Sequence, residues 1–299
     1  MEDTMSEKSY ILTATDMSDW AKHAEAKGAA LTRLVGNATM LLVHVQEPRG
    51  GVFAMDSANA VLNKELYRVE AEKALEETAR QLAVKKGITV MPIVRTGKVT
   101  DEIKTVIKDK KADLLVIGAH GQGYHFLPII GNIPIKLLQG SECPTLIIRQ
   151  EDERPYKKVL MPVDFSNVTI NQVKQSLKFI PENAEVILMG VCESPNSDLN
   201  FYSNVEPAVL EAYRKTIKDK EQEKMDQLLQ KVGSLRQFKT HIEIGVPHKA
   251  ILSYAKMNGV DLLVLGKHHR LRIEDYLIGS TIHYAINEAE CDVLITTSA

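Results

Sequence analysis

The chain has 299 residues, 44% of them hydrophobic, and a formal charge of −2 at pH 7. That length suits two ordinary cores of about 150 residues each. The near-neutral balance, shared by both halves, argues against a duplex nucleic-acid binder, which would carry a basic stripe.

No apolar run reaches the roughly 18 residues that a membrane-spanning helix needs. The start, Met1-Glu2-Asp3-Thr4, lacks the basic-then-apolar pattern of a signal peptide. The 3 cysteines read as reduced thiols rather than a disulfide framework. A cytoplasmic protein with no membrane or nucleic-acid partner is the expectation.

Tyr10 to Thr15 reads as a short strand leading to Asp16-Met17-Ser18. Ser18 or Asp16 can cap the helix that follows, on which Trp20, Ala24, Leu31 and Leu34 recur at helical spacing. Ala38 to Val45 is a second strand. A long amphipathic helix is predicted over Ala58–Lys86, with the stripe Leu62, Leu66, Val69, Leu75, Ala79 and Leu82, and Gly87 ends it. Ile88 to Arg95 is a third strand, Thr100 to Lys110 a helix, Leu114 to Ile117 a fourth strand and Thr145 to Ile148 a fifth. Strands alternating with helices imply a parallel, doubly wound sheet.

The cycle then restarts. Gly118 and Gly266, Gly131 and Gly279, Asp16 and Asp164, Ser18 and Ser166, and Cys143 and Cys291 all lie 148 positions apart. The chain is one unit written twice, and two domains are expected, over 1–150 and 155–299, joined by the charged run 150–155. Between Val45 and Val191 the offset falls to 146, which places short indels in loops, where they cost least.

The fourth strand opens into Gly118-Ala119-His120-Gly121 and, further on, Gly131-Asn132-Ile133 at a helix start. A strand, a glycine loop and a helix in that order suit phosphate. Glycine lets the backbone approach an anion, and amide N–H groups supply partial positive charge. With strand order 3-2-1-4-5, the ligand crevice lies between strands 1 and 4, where Ala14-Thr15-Asp16 and the loop would meet. A carboxylate there suits ribose hydroxyls, an adenine amine or a divalent cation better than it suits phosphate. Backbone groups at Val45 and Val191 are placed to read a base edge. His120 and His125 read as phosphate-neighbouring loop groups.

Blander readings stand beside these. The aspartates can act as caps, and the glycines can make a tight turn. His268 and His269, adjacent on a loop, with His283 on a helix, make a poor metal set, so no metal site is assigned.

These motifs resemble the universal stress protein family, in its tandem form with two such domains in one chain. The resemblance rests on Asp16-Met17-Ser18 and Asp164-Phe165-Ser166, on Val43-His44-Val45, and on the loop signature for ATP. That signature is Gly, two residues, Gly, nine residues, then Gly with Ser or Thr. The first loop has Asn132 in the last place. The second keeps Gly266, Gly279, Ser280 and Thr281, but His269 replaces the second glycine. A side chain there blocks close backbone approach or forces an unfavourable backbone angle. The first domain is therefore the expected nucleotide site. The second, built from Pro162, Val163, Asp164, Val191, Gly266, His268, His269, Gly279, Ser280 and Thr281, is expected to be degenerate or differently liganded.

The resemblance implies two five-stranded, Rossmann-like (adenine nucleotide α-hydrolase-like) α/β domains, ATP as ligand with Mg or Mn, a stress-response role, an unidentified protein partner and a homodimer. An internal pseudo-dimer of the two domains, through their fifth strands, is also expected. No nucleophile–base–orienter set can be assembled, and Gly-Lys-Ser/Thr of a Walker loop is missing, so hydrolysis would be slow at most. A nucleotide-independent scaffold protein is the alternative.

Overall fold

The computed structural model describes residues 8–47, 58–121, 130–141, 143–151, 153–193, 206–233, 236–267 and 279–297, with only the backbone at 58–64 and 207. It divides into two compact units, Met1–Arg154 and Pro155–Ala299.

In the first unit the elements run β1 (Ser9–Ala14), α1 (Asp19–Val35), β2 (Ala38–Gln46), α2 (Ala58–Lys86), β3 (Thr89–Thr96), α3 (Val99–Lys110), β4 (Leu114–Gly118), α4 (Asn132–Leu138) and β5 (Thr145–Ile148). The strands are parallel, in the order β3-β2-β1-β4-β5. Ile11, Leu12, Leu41, Leu114 and Leu115 are fully buried. Continuous apolar runs of this kind mark strands covered on both faces.

Ser18, not Asp16, caps α1: its Oγ accepts from Ala21 N at 3.2 Å. The α2 stripe is only half buried. Leu75 and Ala79 pack on Ala29, Met40 and Leu42, whereas Leu66 is 54% exposed. The side chain of Leu62, also in the predicted stripe, lies outside the described residues.

The second unit repeats the plan: β6 (Lys158–Val163), α5 (Asn167–Ser176), a 3-10 turn at Leu177–Phe179, β7 (Glu185–Cys192), α6 (Pro207–Val232), β8 (Phe238–Ile244), α7 (Pro247–Met257), β9 (Leu262–Lys267), α8 (Ser280–Glu288) and β10 (Asp292–Thr297). Its parallel order is β8-β7-β6-β9-β10. The offset change falls after α5, which is 10 residues long against 17 for α1. No helix of the described residues is long and apolar enough to cross a membrane.

Candidate functional site

In the first unit β1 lies beside β4, so the chain leaves two neighbouring strands at Thr15-Asp16 and at Ala119. Three contacts fix the first exit. Thr15 N donates to Val43 O at 2.9 Å, His44 Nδ1 lies 2.9 Å from Thr15 O, and Ser18 N donates to Asp16 Oδ1 at 3.0 Å. Met17 between them is left-handed, with φ 61°. That conformation costs a non-glycine residue about 1–3 kcal/mol and is concentrated at functional sites. Beneath the turn, Thr15 Oγ1 donates to buried Glu25 at 2.6 Å while accepting from Met17 N at 2.9 Å. Burial pushes the Glu25 carboxyl above its ordinary value. The Thr15 hydroxyl and Lys22 pull it the other way, and Asp16 adds to the rise.

Gly121 closes against this turn: a Cβ on it would come within 2.8 Å of Asp16 Oδ2. A Cβ on Gly118 would meet His120 O at 3.1 Å, and Gly131 N donates to Ala119 O at 2.9 Å. None of the three glycines has positive φ. At the second-glycine position close approach, rather than backbone angle, is therefore what a side chain would violate.

These groups surround a cleft of about 470 Å³ lined by Ala14, Thr15, Asp16, Val45, Gly118, His120, Gly121, Gly131, Asn132 and Ile133. Glu47, Val99 and Ile103 join them, which motif spacing does not reveal. Burial and the nearby Arg149 charge lower the His120 pKa, and its ring stands edge-on to Trp20 with centroids 5.6 Å apart. His125 and the rest of 122–129 lie outside the described residues.

The second cleft, about 610 Å³, is lined by Pro162, Val163, Asp164, Val191, Gly266 and Thr281 among others. Gly279 and Ser280 open α8 at exposed positions and do not line it. His268 and His269 lie outside the described residues. Side chains that sequence spacing passes over also line this cleft. Asp164 Oδ1 accepts from Thr169 Oγ1 and, at 3.1 Å, from Ser166 N; the first unit has Ala21 where Thr169 stands. Phe165, left-handed like Met17, lays its ring where a Cβ on Gly190 would come within 2.8 Å. Lys220, Glu221 and Lys224 of α6 also line the cleft, with Lys224 Nζ paired to Glu221 Oε1 at 2.6 Å. Among the described residues no group of three or more His, Cys, Asp or Glu could hold a metal.

A family model described as the Universal stress protein family matches residues 9–149 and again 155–297. A universal stress protein of Methanocaldococcus jannaschii is 30% identical over 155 residues, 47% of this chain and 94% of its own length. One from Synechocystis sp. is 24% identical over 306 residues, 95% of this chain and 98% of its own. Among solved structures, a universal stress protein from Archaeoglobus fulgidus aligns with TM-score 0.67 at 18% identity, over 98% of this chain and 100% of that one. A likeness at that identity concerns the fold.

Proposed function

The chain belongs to the universal stress protein family, and we propose that its first unit binds an adenine nucleotide, ATP foremost, between Asp16 and the Gly118–Asn132 loop. The observation that carries this reading is the 2.8 Å that a Cβ on Gly121 would leave to Asp16 Oδ2. Two motifs far apart in sequence meet there, and the glycine leaves a cradle that any side chain would fill. The residues present fit the nucleotide. The Gly121 backbone amide and the Asn132 carboxamide would take phosphate oxygens, with Gly118 and Gly131 leaving room for them. Asp16 would accept from ribose hydroxyls or the adenine amine, and the Val45 backbone would read the base edge. A bound Mg or Mn would draw its oxygen ligands mainly from the phosphates, with Asp16 and Glu47 the carboxylates that line the cleft.

Occupancy is the proposed signal. Filling the cleft with nucleotide changes the surface that a protein partner meets, in a cytoplasmic stress-response regulator that works as a homodimer. The family gives this role its context. For the second unit the nucleotide-independent alternative is favoured, because Thr169 engages Asp164 where the first unit has Ala21.

Calorimetry on Gly121→Val tests the site. ATP affinity should fall by at least about 100-fold in the variant, with circular dichroism unchanged. The sole tryptophan, Trp20, touches the His120 ring, so its emission should respond to ATP in the wild type only. Unchanged affinity in a folded variant would rule the site out.

A further inference from the structure

The clefts differ most at one helix position. Ala24 on α1 and Gln172 on α5 stand at the same place relative to their capping serines, Ser18 and Ser166. Ala24 is fully buried and takes no part in lining the first cleft. Gln172, 5% exposed, reaches across the end of β9, where its Nε2 donates to Lys267 O at 3.3 Å. Its Oε1 lies so near Gly266 that a Cβ there would come within 1.9 Å of it. At the matching Gly118 a Cβ would meet a loop carbonyl at 3.1 Å and, among the described residues, no side chain within 4 Å. The space left open over the first loop glycine of one unit holds a carboxamide in the other.

We propose that Gln172 is a specificity-determining residue that closes the second cleft to nucleoside phosphates. A phosphate oxygen approaching the Gly266 backbone would have to displace the carboxamide, breaking its hydrogen bond to Lys267 O and stranding a buried polar group. Lys224 is already paired with Glu221, and Asp164 is held by Thr169 and the Ser166 amide. This steric and polar block stands apart from His269 in the loop. It rests on the reading of the first cleft as the nucleotide site, because it assigns the same seat in both units.

The test counts ATP bound per intact chain by calorimetry with excess Mg-ATP. Gln172→Ala, which installs the first unit's residue, should raise the stoichiometry from one to two. In a Gly121→Val background the same change should restore ATP binding, on the order of tenfold tighter or better than Gly121→Val alone. Gln172→Leu keeps the bulk without the amide and should leave the cleft closed. If circular dichroism shows that Gln172→Ala is misfolded, Gln172→Ser replaces it with the same expected gain. Unchanged stoichiometry in the folded variant, no gain in the Gly121→Val background, or opening by Gln172→Leu would each overturn the proposal. Failure of the first-cleft reading would show separately, as ATP affinity unaffected by Gly121→Val.

Discussion

Asp16 and Gly121 constrain each other: the carboxylate can hold its turn toward the loop only because the glycine has no Cβ. Beneath them Glu25 is a buried carboxyl on α1 that accepts a hydrogen bond from the Thr15 hydroxyl. The second unit has Val163 and Val173 at those two places. The pKa of Glu25 is raised by burial first, so its ionised form is the one that the fold disfavours. Its stabilising contribution is complete below the unfolded pKa and is lost as pH rises through the folded one. Glu25→Gln keeps the acceptor for Thr15 and removes the charge. Urea unfolding should therefore show the variant gaining on the wild type as pH rises above the ordinary carboxylate range. A stability difference that does not vary with pH would contradict this account.

The elements meet at unequal distances, and α1 sits unusually close to β1. A Cβ on Gly28 would come within 2.1 Å of Thr13 Oγ1. On propensity alone Gly28→Ala should help a helix by about 1 kcal/mol, whereas overpacking costs about 1–3 kcal/mol. The contact is short enough for overpacking to win. We expect a net loss of about 1 kcal/mol or more, relieved by adding Thr13→Ala; a stabilised Gly28→Ala single variant in thermal unfolding would refute it. Elements of this kind were legible in the sequence because apolar runs such as Leu114–Ile117 mark buried parallel strands, and repeated offsets mark matching loops. The stripe of α2 was legible only in part. Periodicity identifies a face but not what lies opposite it, so Leu66 reads like Leu75 although only Leu75 has a core to enter. The same limit hid Gln172 and Glu25. Spacing puts both on the inward faces of their helices, but reach across a strand end depends on side-chain length and on how close the helix packs. Gly121 was legible, because one residue type at one spacing is all that its role requires.

At the scale of the whole chain, duplication has given two units of one topology whose clefts are no longer equivalent. The first keeps glycines against an aspartate, while the second sets Gln172, Thr169 and Phe165 around the matching aspartate and glycine. On the proposed reading, the chain retains the fold twice and one nucleotide seat, with its second cleft released to diverge. Native mass spectrometry of the intact wild-type chain titrated with Mg-ATP tests this most directly. One ATP adduct per chain is predicted, abolished in Gly121→Val; no adduct at all, two adducts, or one that persists undiminished in the folded variant would contradict it.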